Sequence, residues 1–594
     1  MQRTLWSGAI SVIVLAMIAP SAGGVGSAPP QATRIVDLRT QANIVLDGAD
    51  TWSMMGESVA SAGDVNGDGL GDVVVGAGGD PLYRQDFTAA AVVLFGSRIG
   101  KPIDANALGG GGFVIGGLPY TGQPSVPVSS ANDINDDGLG DLFLAPSDDL
   151  SSKFFVFGKR TATAVPLPGL GDRGFVVRPS DRFDGTGSAA PAGDVNGDGR
   201  PDFILSTPGS NFNGRQRSGS AYVIFGGAPP SSWNPEALGA NGFRIDGAAA
   251  DDSILAVAAA GDVNGDGIDD VMVGTSRSAR FQSAPPGAVY VVFGQHSRAN
   301  VDLAVLGTRG FEIDGTEVDD QVGTVIAGVG DMNADGLDDL GISAPGAANA
   351  HGKHAGAVFV VYGRKASDPV LLTSPDLRGF RIDGFASNGP VPIPVSSAGD
   401  YNGDGYPDLL IGTPYTVNGT PDTANGNRIK DGSAFVIYGR AQPESVDLGS
   451  LGGRGLQLDG GPSELAGFSV GSAGDFNGDG RNDIVIGAPF AHQGLALRTG
   501  STFILFGSGL PALAYPPLTL RPGRKVRLAP RRARATGTAW FSVRPALPKG
   551  LSINASTGII RGRVVSAPER TYIVTMHDLT GGIRAPLSLR VRHR

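Results

Sequence analysis

A nine-residue pattern, Asp-x-Asn-x-Asp-Gly-x-x-Asp, occurs seven times in this chain of 594 residues. The copies begin at Asp64, Asp133, Asp194, Asp262, Asp331, Asp400 and Asp475, so that successive copies lie 61 to 75 residues apart. A pattern that returns at a nearly constant spacing is typical of a repeat architecture in which each copy is one structural unit. The chain must therefore fold into seven equivalent units.

Each unit contains four short segments with the composition of β-strands. In the fourth unit they include residues 242–247, the run that precedes the Asp pattern, and residues 270–274 and 288–294. These segments are rich in β-branched and aromatic residues and are bounded by Gly, Asn or Asp. The 93 Gly and 41 Pro residues exclude long helices. The predicted fold is all-β, with seven four-stranded blades in a seven-bladed β-propeller.

The two ends of the repeat region predict how the ring closes. Residues 44–48, Ile-Val-Leu-Asp-Gly, match the strand at 242–247, whereas no such strand follows residues 502–507. We therefore predict that residues 44–48 complete the last blade as its outermost strand. A closed ring leaves no open sheet edge between the first and last blades.

The Asp pattern has the donors of a site for a hard divalent cation. Positions 1, 3, 5 and 9 carry side-chain oxygens, position 7 can offer its backbone carbonyl, and position 6 is Gly in every copy. An EF-hand would need a Glu at position 12, where all seven copies have an apolar residue. A metal-free Asn-Gly or Asp-Gly hairpin turn is the alternative. Oxygen donors without Cys or His favour Ca²⁺, up to seven ions with one per blade.

The predicted side-chain ligands are four residues from each loop. They are Asp64, Asn66, Asp68 and Asp72; Asp133, Asn135, Asp137 and Asp141; Asp194, Asn196, Asp198 and Asp202; Asp262, Asn264, Asp266 and Asp270; Asp331, Asn333, Asp335 and Asp339; Asp400, Asn402, Asp404 and Asp408; and Asp475, Asn477, Asp479 and Asp483.

Further recurrent strings carry a family resemblance. The strings Gly-Ala-Pro at 487–489 and Ser-Ala-Pro at 343–345, and Phe-Gly at 293–294 and 506–507, together with the Asp loops, resemble FG-GAP repeats over residues 40–508. Such repeats form the seven-bladed head of integrin α chains and occur in several exported bacterial proteins. The integrin-type head keeps only some metal loops, whereas all seven are complete here. The resemblance implies a protein or glycan ligand on the propeller face opposite the calcium loops.

The ends of the chain differ from the repeat region. Residues 1–28 have a basic start, an apolar run and small residues, which predicts a secretory signal. Residues 514–594 contain several short β-like runs and resemble the Ig-like (cadherin-like) modules of bacterial surface proteins, which implies a small β-sandwich. From residue 510 onward there are 16 Lys and Arg against two acidic residues, although the whole chain has a net charge of −10.

Signals of catalysis are weak. The string Gly-Phe-Ser-Val-Gly at 467–471 matches a nucleophile elbow, but it falls on a predicted strand with no helix after it. His351 and His354 lie in a Gly- and Ala-rich loop without a neighbouring Glu ligand. We expect no enzymatic activity, no nucleic-acid binding and no transmembrane segment. The predicted function is that of an exported calcium-binding adhesion or ligand-binding module, secreted or at the cell surface. The alternatives are a non-catalytic propeller of a secreted hydrolase or lyase (phospholipase- or polysaccharide-related), or a structural surface scaffold.

Overall fold

The structure is a computed structural model of the chain. It describes residues 33–48, 53–78, 88–98, 103–104, 108–119, 126–145, 152–177, 187–227, 232–233, 238–275, 287–315, 317, 320–374, 377–384, 392–416, 431–442, 444–492, 498–507, 518–520, 525–528, 540–544, 547–563, 570–578 and 581–591. The predicted signal at residues 1–28 lies outside these ranges, and the domain boundaries at 40, 508 and 514 remain predictions.

Seven five-stranded sheets form the repeat region, and each sheet is one blade. From the inner strand outward, blade 1 contains Met55–Gly63, Asp72–Ala77, Thr88–Leu94, Gly112–Pro119 and Val165–Pro166; blade 2 contains Val128–Asn132, Asp141–Leu144, Lys153–Val156, Gly174–Val177 and Ser232–Trp233; blade 3 contains Ala189–Gly193, Asp202–Thr207, Ser220–Ile224, Gly242–Asp246 and Val301–Asp302; blade 4 contains Ile254–Gly261, Asp270–Thr275, Ala288–Val292, Gly310–Asp314 and Val370–Leu371. Blade 5 contains Ile326–Gly330, Asp339–Ala344, Ala357–Val361, Gly379–Asp383 and Val446–Asp447; blade 6 contains Val395–Gly399, Asp408–Thr413, Ser433–Ile437, Gly455–Asp459 and Arg34–Asp37; blade 7 contains Ser469–Gly474, Asp483–Ala488, Ser501–Leu505, Ile44–Asp47 and Ile103–Asp104.

The inner strands of neighbouring blades contact one another around a complete circle, and blade 7 contacts blade 1. The predicted all-β propeller of seven blades is therefore confirmed. Each blade has one strand more than the four predicted, a short parallel strand of two to four residues. In blades 1 to 5 this strand comes from the chain segment that forms the next blade. It is too short for a strand pattern to be recognised in the sequence.

Two segments near the start of the chain close the ring. Ile44–Asp47 pairs antiparallel with Ser501–Leu505 in blade 7, as predicted from its sequence. Its predicted outermost place is wrong, because Ile103–Asp104 pairs outside it in parallel. Arg34–Asp37 pairs in parallel with Gly455–Asp459 in blade 6, which the sequence did not indicate. The start of the described chain thus completes two adjacent blades rather than one.

The hydrophobic core lies between blades, where the faces of adjacent sheets pack together. The second strands are buried along nearly their whole length, as in Asp72–Ala77 and Asp270–Thr275. Between blades 2 and 3, Phe143, Phe155 and Phe203 pack with ring centroids 4.8 to 5.2 Å apart. Such contacts bury large apolar surfaces that no blade could bury alone.

Helical structure is short among the described residues. The one α-helix spans Leu38–Gln41, and its N-terminus is capped by the Asp37 carboxylate, which accepts the backbone N–H groups of Arg39 and Thr40. The 3₁₀ turns described are Gly171–Arg173, Leu303–Val305, Gly307–Arg309, Leu448–Ser450 and Gly452–Arg454. None of the described helices has the length and apolar character needed to cross a bilayer.

Two further sheets form the C-terminal module. One contains Leu518–Leu520, Gly581–Val591, Arg570–Asp578 and Trp540–Arg544 in that order; the other contains Lys525–Leu528, Ile560–Arg563 and Leu551–Ile553. The β-like runs predicted at 540–543, 572–575 and 587–591 fall within these strands, whereas the run predicted at 558–562 begins two residues before the strand Ile560–Arg563. Two small sheets in about 75 residues agree with the predicted Ig-like module.

We predict that Arg39 holds the ring closed. Its guanidinium pairs with Glu464 Oε1 at 2.5 Å and Asp47 Oδ1 at 3.1 Å, and donates to Ser501 Oγ at 3.1 Å. Because Arg39→Ala would leave the buried Glu464 carboxylate without its cation, we expect a loss of about 2–3 kcal/mol in the free energy of unfolding. Arg298→Ala, which removes an exposed guanidinium, is the control. Equal urea midpoints for the two variants would exclude this role.

Candidate metal centres

The seven Asp loops occupy equivalent places in the seven blades. Each loop connects the inner strand to the second strand, so all seven lie on the same face of the ring. Position 9 is the first residue of the second strand, and its side chain is fully buried in every blade. Position 5 is exposed in every blade. All 28 predicted ligand residues lie in the described part of the chain.

The position-1 carboxylate holds the turn in shape. In blade 4, Asp262 Oδ1 accepts the N–H groups of Gly265 and Asp266 at 2.7 and 3.0 Å, and Oδ2 accepts that of Gly267 at 2.9 Å. The bonds to positions 5 and 6 recur in all seven loops. Gly267 has a φ of +89°, which a side chain would strain. This conformation explains the Gly at position 6.

The position-9 carboxylate joins the loop to the third strand. In blade 4, Asp270 Oδ2 accepts the N–H of Val263 at 3.0 Å, and Oδ1 accepts that of Gly294 at 2.8 Å. Gly294 follows the third strand, and the equivalent glycine bonds the position-9 carboxylate in every blade. These third-strand glycines are Gly96, Gly158, Gly226, Gly294, Gly363, Gly439 and Gly507.

Sequence reasoning missed the role of these glycines. The recurrent Phe-Gly or Tyr-Gly string follows the position-9 Asp by 24 residues in five of the seven blades, and this fixed separation was the available signal. A Cβ on Gly294 would lie 2.3 Å from the carbonyl oxygen of Asp269, so no larger residue fits without movement of the backbone. The glycine therefore serves both a close approach and a hydrogen bond.

Adjacent loops are also bonded to each other, which the sequence did not indicate. The N–H groups of Gly71 and Gly140, at position 8 of their loops, donate to the position-1 carbonyls of Asp475 and Asp64 in the preceding blades, at 3.0 and 2.8 Å. Asp269 and Asp338 make the same bond in blades 4 and 5. Position 8 is proline in blades 3 and 6, where this N–H is absent. The metal-loop face is thus fixed by backbone bonds between blades.

Burial raises the pKa of the position-9 carboxyls. Desolvation outweighs the two backbone hydrogen bonds, which lower the pKa, and repulsion from the carboxylates at positions 1 and 5 raises it further. The pKa rises to about 7 for Asp72, Asp141, Asp202, Asp339 and Asp483. It rises to about 8 for Asp270 and Asp408. Among the described residues, no Lys or Arg forms an ion pair with these carboxylates that would stabilise their ionised form.

The loops fit a hard cation by their donors. The side-chain Oδ1 atoms of Asn66, Asn402 and Asn477, all at position 3, are buried and have no hydrogen-bond partner among the described residues. A buried acceptor without a partner is unfavourable, and a bound cation would satisfy it. Within the described chain, no three Asp, Glu or His side chains already converge into a metal-binding group. An ion would therefore have to draw the carboxylates of positions 1 and 5 toward it.

The other sequence candidates lie outside these centres. Ser469 of the Gly-Phe-Ser-Val-Gly string begins the inner strand of blade 7, and its hydroxyl donates to the Gly56 carbonyl of blade 1 at 2.8 Å. It therefore contributes to contact between blades and does not sit on a strand-to-helix turn. His351 Nε2 lies 3.0 Å from Asp447 Oδ1 in blade 5, on the propeller face opposite the Asp loops.

Comparison with known protein families identifies the type of repeat. The model described as FG-GAP repeat matches residues 55–93, 186–224, 255–292, 395–427 and 466–500, which fall in blades 1, 3, 4, 6 and 7. The model described as "Putative Ig domain" matches residues 518–592. The chain therefore carries FG-GAP repeats, here folded as a seven-bladed propeller, and a C-terminal Ig-like domain.

Relatives match only part of the chain. Phosphatidylinositol-glycan-specific phospholipase D of Bos taurus is 30 % identical over 159 residues, which are 27 % of this chain and 18 % of that protein. Integrin alpha-PS2 of Drosophila melanogaster is 31 % identical over 170 residues, 28 % of this chain and 11 % of that protein. Integrin alpha-7 of Homo sapiens is 31 % identical over 168 residues, 28 % of this chain and 12 % of that protein. The chain thus matches less than a fifth of the length of each relative.

Two acids of one loop should have different roles. Asp270→Ala removes the acceptor of two backbone N–H groups, so we expect a loss of about 2–5 kcal/mol in unfolding free energy even in chelator. Asp266→Ala removes one exposed bond, to the N–H of Ile268, and should cost at most about 1 kcal/mol in chelator. Urea unfolding with calcium and with chelator measures both. Equal losses in chelator would contradict the assignment of the structural role to position 9.

The pKa shifts predict how stability depends on pH. Because the position-9 pKa in the metal-free fold lies above its ordinary value of 3.8, the protonated form favours folding. This stabilisation is complete below pH 4 and is lost as the pH rises through 7 to 8. We expect the melting temperature in chelator to fall between pH 5 and 8.5, and saturating calcium to raise it most at high pH. A constant or rising melting temperature in chelator would contradict this.

Proposed function

We propose that the chain is an exported calcium-binding propeller that acts as a ligand-binding or adhesion module at or outside the cell surface. The observation that carries the proposal is the difference between the two propeller faces. The face with the Asp loops is fixed by hydrogen bonds that repeat in every blade. The opposite face carries the connections between second and third strands, which differ in length and sequence. Variable loops on a rigid scaffold are a common form of binding surface.

In this proposal calcium is structural. An ion would draw the three carboxylates of its loop together, and without the ion each close pair would repel by about 1 kcal/mol even in water. A divalent ion would remove this repulsion and use the unpartnered Asn oxygens at position 3. Extracellular calcium sites typically bind at about 10⁻⁴–10⁻³ M, and a site filled at ten times Kd contributes ~1.4 kcal/mol. Several sites in one closed ring would then exceed the stability of a typical domain.

The loop at residues 208–219 illustrates the proposed ligand face. Arg215 pairs with Asp302 at 2.6 Å, and Asn213 Nδ2 donates to both Asp246 and Asp302 at 3.1 and 3.0 Å. The Arg244 guanidinium lies 3.6 Å from the Phe212 ring centroid. These contacts hold the loop to the two outer strands of blade 3, Gly242–Asp246 and Val301–Asp302. A loop ordered before binding loses less conformational entropy when it meets a ligand.

Three other loops belong to the same predicted surface. The loop at residues 345–356 is fully described, and His351 holds it to Asp447. The loops at 414–432 and 489–500 include residues 417–430 and 493–497, which lie outside the described residues. We expect that trimming residues 416–427 reduces ligand binding. Except for Thr416, this segment lies outside the described residues.

The absence of cysteine allows a direct test of the binding face. Single exposed cysteines can be placed on the proposed ligand face with Gln216→Cys or Lys353→Cys, and on the metal-loop face with Ser297→Cys. Each variant is coupled to a 5-kDa polymer, on the order of a small domain in size, and tested on intact cells and a glycan array. The targets are the cells or glycans that bind the unlabelled protein. We expect a label at 216 or 353 to abolish binding to them, and the label at 297 to leave this binding unchanged. Blocking by the 297 label alone would contradict the proposal.

A second candidate is the non-catalytic propeller of a secreted hydrolase. It is favoured by the similarity to phosphatidylinositol-glycan-specific phospholipase D over 27 % of the chain. In that case the propeller would position a catalytic domain on its substrate. Binding to glycosylphosphatidylinositol-bearing vesicles, without binding to glycans or to cells that lack this lipid, would favour the second candidate over the first.

A further inference from the structure

A pocket of about 630 Å³ lies beside blade 5 on the metal-loop face, away from the proposed ligand loops. It is bounded by the turn after the third strand, by residues within 364–374 and 377–378, and by Leu337 of the fifth Asp loop. The volume falls in the ordinary range of small-molecule sites, about 300–1,000 Å³. The pocket is therefore large enough for a ligand of oligosaccharide size.

Three cations line this pocket, although the chain as a whole is acidic. They are Arg364, Lys365 and Arg378. Arg378 lies 3.4 Å from Asp335, and Arg364 lies 4.0 Å from Asp368, whose side chain is 88 % exposed. Lys365 has no ion pair with any residue in the described part of the chain. Exposed ion pairs of this kind hold their partners weakly, so all three cations remain available to an anion.

Tyr362 also lines the pocket and is only 6 % exposed. Its hydroxyl has no exposed surface and its ring packs in the core between blades 5 and 6, so the hydroxyl is not a contact for a ligand in the pocket.

Apart from Ser374, the remaining lining is apolar. Pro369, Val370, Leu371 and Leu377 contribute to it, and Leu371 is 49 % exposed. A sugar acid would match both parts, since its ring C–H groups can pack on the aliphatic side chains while its carboxylate meets the cations. The adjacent strand Val370–Leu371 has only two residues, which is too short to pair with an extended peptide.

We propose that this pocket, defined by Tyr362, Arg364, Lys365, Arg378 and the apolar lining, binds an acidic saccharide. The three cations contact the carboxylate, and Pro369 and Leu371 contact the sugar ring. The site is separate from the proposed ligand face, and it does not depend on that proposal.

The test is calorimetric titration of the full chain in calcium with a hyaluronan tetrasaccharide, and with a neutral chitin tetrasaccharide as the comparison. We expect the acidic sugar to bind and the neutral sugar to bind at least about tenfold more weakly, with affinity falling as salt increases. No binding of the acidic sugar at millimolar concentration, or equal binding of the two sugars, would overturn the proposal.

Variants locate the site. The double variant Arg364→Ala, Lys365→Ala should lose at least about tenfold in affinity, because two of the three cations that meet the carboxylate are removed. Arg298→Ala, an exposed arginine beside the equivalent turn of blade 4, should bind like the wild type. Equal melting temperatures would show that the variants are folded. Unchanged affinity of the double variant would overturn the proposal, as would equal or stronger competition by sulfate or by a Glu-rich peptide.

Discussion

Seven carboxylates at the start of the second strands each accept at least two backbone N–H groups, at least one from their own Asp loop and one from the third-strand glycine. In blade 4 these are the N–H groups of Val263 and Gly294. The two donors are far apart in sequence, so a single side chain fixes both the loop and the end of a strand. Because the carboxylate is buried, its charge is unfavourable unless a cation is near. The position-9 carboxylate therefore determines both the geometry of each blade and its predicted need for calcium.

The bonds between blades extend this constraint around the ring. In blades 1 to 6, the N–H of the residue after the third-strand glycine donates to a loop carbonyl of the preceding blade, as Gln295 does to Val195 at 2.8 Å. The third strands of these six blades are thus tied to two loops, one in their own blade and one in its neighbour. The metal-loop face has little freedom to vary, whereas the opposite face is not bound by this pattern. The propeller therefore has one face that these hydrogen bonds constrain and an opposite face whose loops can differ between blades.

Much of the fold could be predicted because its local signals repeat. The Asp pattern, the strands after it and the match of residues 44–48 to later units were enough for the number of blades and the closing strand. The place of residues 44–48 within the blade was wrong, because Ile103–Asp104 is too short to be recognised as a strand. The pairing of Arg34–Asp37 with blade 6 was missed for the same reason, since parallel pairing of four residues leaves no periodic pattern.

The sequence by itself determined the seven units, their strands and the oxygen donors of each loop, because these depend on residues within nine positions of one another. Only the tertiary structure decided that position 9 is buried while position 5 is exposed, and that a glycine 17 to 31 residues further on donates to it. It also brought Tyr362 and three cations to one pocket in an acidic protein. Burial and long-range contacts depend on how sheets pack against each other, and the order of residues along one strand does not record that packing.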